Sequence, residues 1–96
     1  MRPLFIRDLP NGGTQNVYRF DNGYGASVVQ HDLTYGSHDN KWELAVIHFH
    51  GNSSGWDIVY DTPITDDVVG WLDMLQVFEI LSEIEQLPER ATQEFM

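Results

Sequence analysis

Apolar and polar positions alternate in two runs between Asn16 and Val29. Tyr18 and Phe20 alternate with Val17 and Arg19, Asp21-Asn22-Gly23 intervenes, and then Tyr24, Ala26 and Val28 alternate with Gly25, Ser27 and Val29. A period of two is that of a strand, because successive side chains point to opposite faces. Asn-Gly between two such runs predicts a β-hairpin with a type I′ turn, whose two central residues take positive φ. The second run fades through Leu33, Thr34 and Tyr35 into Gly36-Ser37-His38-Asp39-Asn40, a turn by composition. In a third run, from Lys41 to His50, Trp42, Leu44, Val46, His48 and His50 share one face, and Glu43, Ala45, Ile47 and Phe49 share the other. Both faces are partly apolar in its middle, which suits a central strand. Gly51 to Gly55 turns the chain, and Trp56, Ile58 and Tyr60 alternate with Asp57 and Val59 in a fourth strand. Four consecutive strands joined by short turns predict an antiparallel meander.

After Asp61-Thr62-Pro63 the period changes. Thr65, Asp66 and Asp67 suit an N-cap and first turn, since their oxygens accept unpaired backbone N–H groups, and the spacing predicts a short helix from about Asp66 to Trp71. Asp73 with Gln76 three residues on resembles a capping box for a longer helix. Its apolar stripe is Val77, Ile80, Leu81, Ile84 and Leu87, widened by Met74 and Phe78, with Glu79, Ser82, Glu83 and Gln86 toward water and Pro88 as the stop. The sheet needs a cover for its apolar face and the helix needs a base for its stripe, so the two pack together. The expected fold is therefore α+β: a small antiparallel meander of about four strands, with a short helix and a longer C-terminal helix on one face. Residues 1–96 read as a single domain: a loosely structured arm over 1–15, the meander over 16–60, helices over 65–87 and a tail over 88–96. Pro3, Pro10 and Asn11-Gly12-Gly13 confine Leu4, Phe5 and Ile6 to a short strand or an apolar arm.

Charge adds a functional expectation. Lys and Arg number 5 against 15 Asp and Glu, a formal net charge of -10, and no Lys or Arg stands between Lys41 and Arg90. An acidic block of this kind repels phosphate backbones and anionic lipid, which argues against direct nucleic-acid or membrane binding, and it attracts basic protein surfaces. Without cysteine there are no disulfides, thiolate metal sites or thiol nucleophiles, and a reducing compartment fits. No apolar run approaches the roughly 20 residues that span a bilayer, and Asp8 interrupts what would be the apolar stretch of a signal peptide.

Candidate chemistry is sparse. His48 and His50, about 7 Å apart on one strand face, supply half of a metal site, and no second paired-ligand spacing marks the rest. Their simpler reading is a histidine pair near solvent at a strand end. Ser53-Ser54 lies in a polar turn without the strand-to-helix setting of a nucleophile elbow, and the Gly-rich stretches lack the lysine and helix of a phosphate loop. No catalytic residue, metal ligand or cofactor is assigned. Of the three tryptophans, Trp42 and Trp56 sit at inward-compatible strand positions, whereas Trp71, beside Gly70 in the junction between helices, is the one expected to be partly exposed and available to a partner.

The segments NGYGASVV (22–29), WELAV (42–46) and YDTPITDDVVGWL (60–72) carry a resemblance to small, mostly uncharacterised proteins encoded by tailed bacteriophages of actinobacteria. The resemblance covers residues 22–87, and the chain departs from the pattern in the histidine-containing turn at 48–55 and in the N-terminal arm. It implies expression in a bacterial host's cytoplasm among small proteins that redirect host machinery or blunt host defence, and it carries over no catalytic residue.

These observations lead to an expected non-enzymatic accessory protein that binds a host protein with a basic surface. The expected contacts are Asp61, Asp66, Asp67, Trp71, Glu79 and Glu83, on a monomer or weak homodimer. One alternative is an acidic DNA mimic occupying a nucleic-acid-binding groove. A lesser one is a small metal-dependent enzyme using His48 and His50.

Overall fold

The computed structural model describes residues 2–10, 12–30, 41–51, 53, 55–64 and 68–89. Their elements are, in order, β1 (Phe5–Asp8), β2 (Thr14–Arg19), β3 (Tyr24–Gln30), β4 (Trp42–Phe49), β5 (Trp56–Ile58), β6 (Val69–Leu72) and α1 (Met74–Glu85). Each strand pairs antiparallel with the next from β1 to β5, and β6 also pairs with β4. The protein is α+β, a small antiparallel, meander-like sheet with one helix among the described residues. Strands β2 to β5 are the four expected from alternation, and β1 and β6 extend the sheet to six.

The short helix expected over 66–71 is corrected. Val69–Leu72 is a strand, with Leu44 opposite Val69 and Trp42 opposite Leu72; residues 65–67, including the expected caps Asp66 and Asp67, lie outside the described residues. Two physical reasons favour the strand. Val68, Val69, Gly70 and Trp71 are β-branched, glycine or aromatic, all weak helix formers, and so short a helix gains too few hydrogen bonds to offset its nucleation. In addition β5 pairs with β4 only at residues 47–49, which leaves the edge at 42–44 to be paired by β6.

The β2–β3 hairpin forms where Asn-Gly predicts it, with a different turn. Gly23 N–H donates to Phe20 C=O at 3.1 Å, and Gly23 has φ 88 while Asn22 does not take positive φ. This is a type I turn followed by a left-handed glycine, not the expected type I′. Asn22 is thereby released for another task. Its Oδ1 accepts from Tyr24 N–H at 3.0 Å, and its Nδ2 donates to the carbonyls of Ile84 and Leu87 at 2.9 Å and of Glu85 at 3.2 Å.

Helix α1 begins as the capping box predicts. Asp73 Oδ1 accepts from Gln76 N–H at 2.8 Å, and Gln76 Oε1 accepts from Asp73 N–H at 2.9 Å. At its other end no basic side chain stands in the last turn, and the Asn22 amide joins the Gln86 and Leu87 N–H groups as a donor to the terminal carbonyls. Asn22→Ala is expected to cost about 1 kcal/mol, because three helix-end carbonyls, two of them in part-buried bonds, lose one donor. Asn22→Asp should cost at least as much, since it sets a negative charge against the negative helix end. Denaturant titration measures both, and a loss below about 0.5 kcal/mol for both variants would remove the cap from this account.

The main core lies between sheet and helix. Tyr18, Phe20, Tyr24, Ala26, Val28, Leu44, Val46, Val59 and Leu72 from the sheet side meet Val77, Leu81 and Ile84 of α1, with Trp42, Met74, Ile80 and Leu87 packed at the margin. Fully burying each helix residue contributes about 1.5–3 kcal/mol, so these three hold α1 in place. On the opposite face Val17, Ile47 and Phe49 form a second cluster against Trp56, with the Arg19 guanidinium 4.5 Å from the Phe49 ring centre. Two apolar faces on β4 agree with its central place. Phe78 is corrected: expected to widen the buried stripe, it is 42% exposed.

Candidate functional site

Strand β6 brings Trp71 to the surface through a distortion of the sheet. Between the pairs Trp42–Leu72 and Leu44–Val69, two residues of β6, Gly70 and Trp71, stand against Glu43, and the register shifts there. An extra residue on one strand is a β-bulge, which bends the strand and re-aims a side chain. Trp71 has φ 60, the one positive value among the described non-glycine residues, and its side chain is 71% exposed. For a bulky L-residue this conformation costs roughly 1–2 kcal/mol. Gly70, directly adjacent, would bear it at no steric cost.

Helix α1 carries two further exposed apolar side chains. Leu75 follows Trp71 by four residues and is 76% exposed, and Phe78 follows by three more. Residues three or four apart are neighbours along a helix face, so Leu75 and Phe78 form a row separate from the buried Val77, Leu81 and Ile84. Glu79 lies one turn beyond Leu75 and Glu83 one turn beyond Glu79, both exposed. The result is an apolar strip rimmed by carboxylates on a helix whose inner face is anchored in the core.

The expected contact residues divide into three groups. Trp71 is exposed on β6, and Glu79 and Glu83 are exposed on α1. Asp61 is exposed and lines a cavity of about 390 Å³ with His48, His50, Asp57 and Tyr60, following β5. Asp66 and Asp67 lie outside the described residues. Leu75 and Phe78 were not among the expected contacts. The signal for them is present in the spacing of 75 and 78 on α1, an apolar pair offset from the buried stripe, and it is masked because Phe78 also fits the margin of that stripe.

The histidines end β4 in different surroundings. His48 is half-buried, with its ring edge-to-face on Tyr24 at 5.1 Å between centres. His50 is exposed, and its Nε2 lies 2.7 Å from Asp57 Oδ2. Arg19 donates to the carbonyls of Gly51 at 2.6 Å and Ser53 at 3.2 Å, which ties the turn to the sheet and gives these residues a conformational role. Among the described residues no group of three or more His, Asp or Glu side chains is arranged to hold a metal ion. No described helix is long and apolar enough to cross a membrane. Compared with known proteins, the chain matches no family model, no curated protein and no solved structure.

Proposed function

We propose that the chain is a non-enzymatic binding protein whose Trp71–α1 strip docks a protein carrying a basic surface. The resemblance to small phage proteins supplies the setting of this reading, a bacterial host cytoplasm and a host protein as partner. The observation that carries it is Trp71, a large aromatic that is mostly solvent-exposed in a backbone conformation that penalises it and that its glycine neighbour would tolerate. Strain at an exposed aromatic is retained where the side chain has work to do outside the fold. Leu75 and Phe78 enlarge the apolar contact, and Glu79 and Glu83 supply the charged rim that steers a cationic partner and fixes its orientation. Asp61, Asp66 and Asp67 add to the field on the same acidic segment.

The test is capture of partners by the tagged chain from host lysate, followed by affinity measurement on the purified partner. Reversing both rim charges, Glu79→Lys with Glu83→Lys, is expected to weaken binding by about tenfold, and the wild-type affinity should fall as salt rises. Affinity indifferent both to salt and to the reversal would end this reading.

A further inference from the structure

The sheet edge at the other end from β6 carries cations among its apolar residues. β1 is the outermost strand on one side, β6 pairs with β4 on the other, and β2, β3 and β4 lie between them. Around β1 are exposed Leu4 (53%) and Ile6 (60%), with Phe5 between them and the exposed cations Arg2 and Arg7 on either side. The Arg7 guanidinium is held by a bond from Nε to Gln15 Oε1 at 2.6 Å. Asp8 closes the strand with one negative charge. Strands β2, β3 and β4 separate β1 from the β6 strand that carries Trp71, so the cationic edge and Trp71 do not meet within one molecule, but they can meet between copies.

We infer that this chain associates with a second copy head to tail, the β1 edge of one protomer docking on the Trp71–Leu75–Phe78 strip of the next. Symmetric pairing of two β1 edges is the competing arrangement, and the strand is guarded against it. β1 has four residues, Pro3 precedes it, and Arg7 and Asp8 charge its end. Leu4 N–H is also already bonded to Val17 C=O at 2.6 Å, although Val17 is the register partner of Phe5, so the edge is bulged there. Side-chain docking needs none of these backbone groups. The net charge of -10 opposes association over distance, but at about 0.15 M salt the screening length is about 8 Å, so contact complementarity decides the outcome. A contact that uses different surfaces on the two protomers does not close at a dimer. The inference shares the strip with the proposed function and makes self-association a competitor of partner binding.

The test uses sedimentation of the full chain at about 0.15 M salt, up to about 1 mM protein. The wild type is expected to reach at least about twice the monomer's average mass and to keep rising with concentration. Ile6→Glu and Leu75→Glu change exposed positions, and each variant should remain monomeric, because one side of every junction is spoiled. Mixed in equal amounts they retain one good edge and one good strip, so the mixture should approach twofold mass and stop there. A wild type that stays monomeric throughout, a single variant that associates like the wild type, or a mixture that stays monomeric would each overturn the inference. Basic-partner binding lost from the strip while the mixture still dimerises would sink the proposed function and leave this inference standing.

Discussion

Replacing Gly25 with alanine is expected to destabilise the fold by about 3 kcal/mol or more, lowering the thermal midpoint by about 10–25 °C. A Cβ at this position would stand 1.9 Å from the Tyr18 carbonyl oxygen and 3.0 Å from its carbon. Those atoms are backbone, in the strand that pairs with β3, so neither side can rotate away. Relief requires parting β2 from β3 next to the hairpin turn, where Arg19 faces Gly25 and Tyr18 faces Ala26. Tyr18 and Ala26 are in the main core, so the displacement spreads into the packing under α1. The loss is a large share of the 5–15 kcal/mol that holds a typical domain together. Gly51→Ala is the control, because its Cβ meets nothing within 4 Å and its φ of 57 exacts only a local strain of about 1 kcal/mol. Thermal and denaturant unfolding followed by far-UV circular dichroism measure both variants. Equal losses at the two positions would show that close approach of backbone at Gly25 is not what the glycine serves.

Alternation made β2, β3 and β4 legible in the sequence because strand faces depend on neighbours one and two residues away. The capping box at Asp73 was equally local, two side chains three residues apart. What the sequence did not disclose depends on partners far along the chain. Val69–Leu72 becomes a strand because β5 stops short on β4, a fact of pairing that the tetrapeptide does not contain. Asn22 reads as a turn residue, and its second role reaches carbonyls 62 to 65 residues away. The type I′ expectation failed for a related reason: Asn-Gly permits either turn, and here Asn22 is held by its bonds to the helix end.

The candidate site was legible to the same extent. Trp71 stood out through its glycine neighbour, and Glu79 and Glu83 through their position opposite the apolar stripe, and all three are exposed. The apolar row of Leu75 and Phe78 was hidden because a helix that is apolar on more than one side does not tell, by period, which side is buried. Burial was settled by the sheet, which takes up Val77, Leu81 and Ile84 and leaves the neighbouring row outside.

Trp71→Gly is expected to separate folding from binding. Glycine adopts φ 60 freely, so the variant loses the strain of roughly 1–2 kcal/mol, while the added freedom of its unfolded chain returns about 0.5–1 kcal/mol. The net change in stability lies between none and a gain of about 1 kcal/mol. Partner affinity moves the other way. Removing an aromatic anchor at the centre of a contact costs about 2 kcal/mol or more, about 30-fold in Kd. Trp71→Ala distinguishes the two effects, since alanine keeps the strained backbone and discards the ring; it should bind as poorly as the glycine variant without gaining stability. Denaturant titration and calorimetric binding to the captured partner supply the two measurements. A Trp71→Gly variant that unfolds more easily by about 2 kcal/mol would make the tryptophan a structural element, and one that binds like the wild type would leave its exposure without a purpose. A residue that holds its protein slightly less stable than its glycine replacement would, and binds far better, is one whose cost in the fold is offset by what it contacts outside it.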